Sequence, residues 1–178
     1  PIHSEIEMGF RLSRGKRLVV TGSNGKTTTT TLLNEICRKS FPRVFLGGNI
    51  GFPIMEFALE TKDEDLQILE VSSFQLETIS SFKPDIAVIT NFYPNHLDRY
   101  PSFEDYCKAK ERILMNMAGA EDVAVLNADQ SITQELAKRV KCSKAWFGRD
   151  LKGNSPGVSI EDENFVYFDR KGKKEILF

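Results

Sequence analysis

The sequence predicts an α/β fold: a mostly parallel sheet with helices on both faces and a small antiparallel β-hairpin appended near the C-terminus. Three observations predict it. Strand-like apolar runs alternate with helix-like stretches over residues 17–147, and parallel neighbours need a crossover between them. Runs such as Ile86-Ala87-Val88-Ile89 and Val123-Ala124-Val125-Leu126 are apolar without alternation, as strands covered on both faces are. Beyond Gly148 the pattern changes to short apolar runs set between turn residues.

In order, residues 17–21 read as the first strand and 26–39 as the helix after it. A strand at 44–46, a short helix around 54–60, a strand at 66–71, a short helix at 75–80 and a strand at 85–90 follow. Residues 103–117 read as a longer helix: Ser102 is a natural N-cap, and Glu104 and Asp105 oppose the dipole in the first turn. Strand 123–127, helix 131–140 and strand 144–147 complete the alternation. Lys152-Gly153-Asn154-Ser155-Pro156-Gly157 is turn-rich, and runs 164–168 and 175–178 flank Arg170-Lys171-Gly172-Lys173 as two arms of a hairpin.

Of the 178 residues, 40% are hydrophobic and 28% charged, enough to bury one core and to form one domain over residues 1–178. Lys and Arg number 24 against 25 Asp and Glu, so at net charge -1 no overall field draws the chain to nucleic acid or to an anionic membrane. Small molecules or proteins are the expected partners, and a monomer the expected state. The apolar runs fall far short of the ~20 residues of a membrane helix, and Pro1-Ile2-His3-Ser4-Glu5 has no signal-peptide character. Cys37, Cys107 and Cys142 suggest neither a disulfide framework nor a zinc site, so a reducing cytoplasm fits. The missing initiator Met and the strand-like ending predict a piece of a longer chain.

The chemistry-bearing segment begins where Leu18-Val19-Val20-Thr21 runs into Gly22-Ser23-Asn24-Gly25-Lys26-Thr27-Thr28-Thr29 and a helix-compatible stretch. Phosphate binding needs glycines that admit the oxygens to backbone N–H groups, a helix N-terminus aimed at the anion, a Lys counter-charge and a hydroxyl for magnesium. All are present, which makes the expected fold P-loop NTPase-like and the expected ligand ATP with magnesium. The loop departs from the usual spacing in having two residues, not four, between its glycines. The competing reading, a glycine turn that merely opens a helix, does not account for Lys26-Thr27 after Gly25. The threonine run 27–31 is unusual in a helix, and only its first hydroxyls have a ready explanation.

In an open parallel sheet the ligand lies outside the carboxyl ends of the strands. Glu70 ends the run Leu66-Gln67-Ile68-Leu69 there, followed by Ser72, Ser73 and Gln75. It suits magnesium beside a triphosphate, and it also suits a solvated strand-end carboxylate. Residues 91–100 form a polar loop at the same edge that contains His96, a functional or a structural histidine on the residues alone. Gly47-Gly48-Asn49-Ile50-Gly51 permits close backbone approach, although a tight turn explains it equally well. Lys108 pairs with Glu104 at i,i+4, whereas Lys110 has no such partner and reads as a surface lysine.

Together, Thr21-Gly22-Ser23-Asn24-Gly25-Lys26-Thr27-Thr28, Gly47-Gly48-Asn49-Ile50-Gly51, Glu70-Val71-Ser72-Ser73-Phe74-Gln75-Leu76-Glu77 and Asn95-His96-Leu97-Asp98-Arg99-Tyr100 resemble the Mur ligase family in text, order and spacing. Ser72-Ser73-Phe74-Gln75-Leu76 after Glu70, with Ser4-Glu5-Ile6-Glu7 before the loop, is most similar to its D-glutamate-adding branch. The resemblance spans about residues 3–128. It implies an ATP-dependent amide ligase of peptidoglycan synthesis, acting on UDP-N-acetylmuramoyl-L-alanine and D-glutamate through an acyl phosphate. By match to the motif, residues 22–28 bind ATP, with Lys26 and the loop amides on the phosphates and Thr27 and Glu70 on one magnesium. His96 matches a ligand of a second magnesium. Lys110 falls on the family's carbamylated lysine, whose added carboxylate helps fix that second ion, and this replaces the surface reading of Lys110. Lys26, His96 and Lys110 thus become the catalytic candidates. Asn49, Ser72 and Gln75 match positions facing the muramoyl substrate. Asn95 stands where many relatives carry Asp, removing one negative charge. The resemblance further implies a central ATP-binding domain without the N-terminal UDP-binding and C-terminal domains, inactive alone. Two other classes remain on the residues: a nucleotidase or phosphotransferase, and a nucleotide-binding fragment without chemistry.

Overall fold

A computed structural model describes residues 2–151 and 153–177; Pro1, Lys152 of the expected turn and Phe178 at the end of the expected last strand lie outside the described residues. In chain order the elements are α1 (Glu5–Leu12), β1 (Lys16–Thr21), α2 (Lys26–Cys37), β2 (Val44–Gly48), α3 (Ile54–Phe57), β3 (Leu66–Glu70), α4 (Ser73–Leu76) and β4 (Ile86–Ile89). Then come α5 (Phe103–Glu111), β5 (Val123–Asn127), α6 (Ser131–Arg139), β6 (Ser143–Phe147), β7 (Gly157–Glu161), β8 (Asn164–Phe168) and β9 (Lys174–Ile176). Short 3-10 turns extend α3 through Ala58–Glu60 and α5 through Arg112–Leu114. Among the described residues no helix is long and apolar enough to cross a membrane.

The strands form one sheet in the order β2-β3-β1-β4-β5-β6-β7-β8-β9. Pairing is parallel from β2 through β7 and antiparallel for β7 with β8 and β8 with β9. The predicted class holds. Successive side chains of a strand point to opposite faces, and here both faces are buried. Val19, Leu69, Ala87, Ile89, Ala124 and Leu126 belong to the larger core with residues from α1, α3, α4, α5 and α6. Leu18, Val20, Leu66, Ile68 and Val88 face the other way, toward Leu33 and Cys37 of α2. Since α2 packs on β1, β2 and β3, the same face of β4 and β5 opens into an apolar groove of about 560 Å³ beside Gly25.

Two elements went unpredicted. Helix α1 is short, and its one deeply buried apolar side chain, Ile6, makes a faint periodic signal. Gly9 lets α1 lie against α3, since a Cβ there would come 2.2 Å from Ile54 Cγ2. Strand β7 turns the expected hairpin into a three-stranded meander, because the run from Gly157 adds to β6 in parallel before the chain reverses. The short helix expected at 75–80 forms earlier, at Ser73–Leu76, because Ser72 and Gln75 close a capping box.

Helix α1 is tied to the core by a buried charge. The Glu7 carboxylate accepts hydrogen bonds from the backbone N–H groups of Ser80, Ser81 and Phe82, from both serine hydroxyls, and from Arg11 at 2.8 Å. Burial alone would raise its pKa; the Ser81 hydroxyl and the three N–H donors outweigh that and hold it well below the usual carboxylate range. With the folded pKa depressed, this stabilisation is complete above the ordinary Glu value of about 4.3 and is lost as pH falls below it. Glu7→Ala is expected to cost about 3 kcal/mol at neutral pH, by stripping several buried donors of their acceptor. Urea unfolding at pH 7 and pH 3 checks this: the gap between variant and wild type should narrow at pH 3, and a gap unchanged by pH would contradict the assignment.

Candidate active site

The carboxyl ends of β1, β3 and β4 and the N-terminus of α2 converge on one edge. Residues 22–25 form the phosphate loop between β1 and α2. Gly22 has φ +146°, and a Cβ there would meet Thr90 Oγ1 at 1.9 Å. Gly25, at φ +80°, is the left-handed N-cap of α2, with open space where its Cβ would be. Gly25 is thus required by conformation alone, and Gly22 by its conformation and the Thr90 contact together. Asn91, just past β4, braces the loop: its Oδ1 accepts from Asn24 N–H at 2.9 Å, its Nδ2 donates to the Asn24 carbonyl, and its own carbonyl accepts from Ser23 N–H. Thr90 Oγ1 also donates to the Asn24 carbonyl at 2.8 Å. Asn91 and Thr90 were missed in the sequence; their place immediately after a central strand was the available signal.

Lys26 Nζ donates to the carbonyls of Gly22 and Ser23 at 3.0 and 3.1 Å, which puts its ammonium across the loop. Thr27 Oγ1 donates to Glu70 Oε2 at 2.7 Å, and Asn49 Nδ2 donates to Glu70 Oε1 at 3.0 Å. Glu70 is 2% exposed, so the strand-end reading of a solvated carboxylate is replaced by that of a buried one held from two sides. Asn49 stands where it does because Gly48, at φ +96°, lies against the Glu70 carbonyl at a distance no Cβ could occupy. Within the threonine run, Thr30 donates to the Lys26 and Thr27 carbonyls and is buried. Nothing in the structure explains Thr28 or Thr31.

The other candidates are placed as follows. Lys110 is 2% exposed, not a surface lysine, and its ammonium lies 4.7 Å from the Tyr106 ring centroid. Burial, and then the nearby Lys26 charge, lower its pKa to about 7 against the weaker pull of Cys107 and Glu70. His96 is exposed, at φ +52°, with its ring 6.2 Å from that of Tyr106. The Asn95 side-chain carbonyl accepts from His96 N–H at 2.9 Å and so shapes the loop backbone. Ser72 and Gln75 are joined in the capping box, with Gln75 Oε1 accepting from Ser72 N–H at 3.0 Å. Ser23 is buried, its hydroxyl is bonded to the Tyr93 backbone and to Tyr106, and its amide donates to the Asn91 carbonyl, so both of its polar groups brace the loop.

This donor set suits magnesium. Thr27 and Glu70 offer hard oxygens within hydrogen-bond distance of each other, and among the described residues no three His, Cys, Asp or Glu side chains group to hold a metal by themselves. Magnesium keeps waters and takes one or two protein oxygens together with phosphates.

Residues 20–173 match the model of the Mur ligase middle domain. The chain is 44% identical over 177 residues to a UDP-N-acetylmuramoylalanine--D-glutamate ligase of Koribacter versatilis, covering 99% of this chain and 39% of that protein. It is 42% identical to the enzyme of the same name in Streptococcus agalactiae, covering 99% of this chain and 38% of that one. The chain thus spans about two fifths of the length of these curated relatives. Among solved structures, a MurF ligase from Thermotoga maritima in complex with ADP superposes with TM-score 0.67 at 21% identity, over 96% of this chain and 42% of that one. The FolC of E. coli in complex with DHPP and ADP gives 0.66 at 18%, over 97% and 52%. These two show the shared fold.

The glycines supply a direct check on the loop. Gly25→Ala should destabilise by about 1 kcal/mol, the cost of a left-handed alanine, whereas Gly22→Ala should cost more because Thr90 must also move. Denaturant unfolding of the two variants measures the difference; equal costs would remove the role given to the Thr90 contact.

Proposed function

This chain belongs to the Mur ligase family, and from that premise we propose that it is the ATP- and magnesium-binding unit of an amide ligase of peptidoglycan synthesis, one that joins D-glutamate to UDP-N-acetylmuramoyl-L-alanine. The observation that carries the reading is the loop of Gly22 to Gly25 with Lys26 across it, beside the Thr27 and Glu70 pair. In this reading residues 1–178 are the central domain of a cytoplasmic, monomeric ligase, and domains that grip UDP and bring D-glutamate belong to the rest of a full-length enzyme. The chain alone binds nucleotide and does not complete the reaction.

In the ligase reaction a substrate carboxylate oxygen bonds to the γ-phosphorus of ATP and the bond to the ADP oxygen breaks. The D-glutamate amine then attacks the acyl carbon, phosphate leaves, and the amine gives up its proton. Loop amides and the Lys26 ammonium hold the phosphates and offset their charge. Thr27 and Glu70 would hold magnesium, which would offset the charge of the phosphates. Asn49 fixes Glu70 and, with Ser72 and Gln75, borders the space for the muramoyl substrate. His96 and a carbamylated Lys110 would hold a second ion. Carbamylation requires the uncharged amine, and a lysine with pKa about 7 supplies it near neutral pH. The amine nitrogen bonds to the carbon of CO2 and releases a proton, leaving a carboxylate on the former cation.

Calorimetric titration with an ATP analogue and magnesium tests the binding role. Lys26→Ala should weaken binding by at least about tenfold, the loss of one charge-assisted contact; equal heats from variant and wild type would sink the assignment. The ligase reading stands on amine dependence: a full-length enzyme carrying this segment should form ADP only with all three substrates, and ATP consumption by this chain without amine would favour a nucleotidase. For Lys110, 13C NMR in labelled bicarbonate should show a carbamate signal that grows between pH 6 and pH 8, as the neutral amine becomes the major form, and that disappears in Lys110→Ala. A signal indifferent to Lys110 would refute its carbamylation.

A further inference from the structure

Tyr106, on the helix that carries Lys110, is buried at 1% exposure and meets three parts of the site described above: Ser23 of the loop, Lys110 and His96. Its Oη lies 3.0 Å from Ser23 Oγ. The direction of that bond follows from the other partners of Ser23. The Ser23 hydroxyl donates its one proton to the Tyr93 carbonyl at 2.9 Å and accepts from Tyr93 N–H at 2.9 Å. A hydroxyl has one donor and two acceptor positions, so only an acceptor position remains and the Tyr106 phenol must donate. Burial raises the phenol pKa, which keeps that proton in place. The ring has further contacts: its face is 4.7 Å from Lys110 Nζ, and the rings of Tyr100, His96 and Phe103 surround it at 5.5, 6.2 and 6.3 Å.

We propose that Tyr106 is a positioning residue for the phosphate loop: through the Ser23 hydroxyl it fixes the loop backbone that leads into the N-terminus of α2, whose first N–H groups receive phosphate, and through its ring it holds Lys110 and the His96 loop beside them. The proposal rests on the phosphate-binding reading of the loop. Its physical basis is pre-organisation. A short loop with two glycines has many conformations to lose when an anion binds, and a buried hydrogen bond to its one non-glycine hydroxyl removes that freedom in advance. Ser23 then needs no phosphate contact of its own, and its side chain faces away from the ligand to lock the backbone that does the binding.

Titration of the 178-residue chain with magnesium and an ATP analogue, on wild type, Tyr106→Phe, Ser23→Ala, the double variant and Ser23→Thr, tests it, with circular dichroism and urea unfolding on the same samples. Tyr106→Phe keeps the ring and removes only the hydroxyl, and should weaken binding about fivefold, the worth of one hydrogen bond. Ser23→Ala breaks the same bond from the other side and serves if Tyr106→Phe fails to fold. The double variant should bind no more weakly than Ser23→Ala, and Ser23→Thr should bind like wild type. A purely structural role would lower the unfolding free energy and leave the dissociation constant of the folded protein unchanged, and that result would overturn the proposal. Independent, multiplying losses in the double variant would also overturn it. No heat from wild type would instead overturn the phosphate reading, and the positioning role with it.

Discussion

The site depends on a carboxylate kept inside the protein. Glu70 ends β3 between Val20 of β1 and Gly48 of β2 in register, and at 2% exposure it has almost no water to satisfy it. A charge so placed is tolerated only when hydrogen bonded. The donors come from Thr27 in the first turn of α2 and from Asn49 just past β2. Three elements distant in sequence are thereby set at fixed separations around one group. The backbone takes part too, since Asn49 N–H donates to the Glu70 carbonyl at 2.8 Å. The glycine at 48 is a consequence of this packing, because a side chain there would displace that carbonyl.

The cationic side of the site is arranged differently. Lys26 is half-buried and rests its side-chain nitrogen on loop carbonyls. Lys110 is buried, with Lys26 as a like-charged neighbour, and Glu70 answers only part of that repulsion. The Lys26 and Lys110 amines lie close enough to repel, an arrangement that favours an added negative charge between them. The Tyr106 ring face is a weaker partner for the ammonium than a carboxylate would be, so it leaves Lys110 free to lose its proton.

Much of the fold was legible in the sequence, for identifiable reasons. Strands β4 and β5 are apolar without alternation because one face packs in the larger core and the other lines the apolar groove, and β5 fell at its predicted bounds. The loop was legible because glycine, lysine and threonine at that spacing have few structural uses. Helix α1 was not, because its place is set by the distant Glu7 hydrogen bonds to residues 80–82. Nor was the burial of Lys110, since composition carries no information on which face of an amphipathic helix meets the core. Ser23 was read as a phosphate ligand from its place in the loop; only the fold shows its hydroxyl turned toward Tyr106 and Tyr93.

The parts of the site close on themselves through contacts that no single segment displays. From Glu70 the chain passes through the Ser72 and Gln75 capping box into α4. The carbonyls of Leu76, the last residue of that helix, and of Ile79 just beyond it accept from Arg112 Nε and Nη2 at 2.7 Å each, and Arg112 follows directly on α5. Arg99 pairs with Glu77 at 2.7 Å and ties the His96 loop to the same place. Helix α5 presents Lys110 and Tyr106, Tyr106 reaches Ser23, and the loop leads into Thr27, which returns to Glu70. A displacement at any member of such a ring must be taken up by its neighbours, because buried hydrogen bonds and packed rings have little slack. The fold can therefore hold a charged, mobile-chemistry site on loops and helix ends: each loop is bonded to an element on either side, and the sheet behind them supplies the fixed reference.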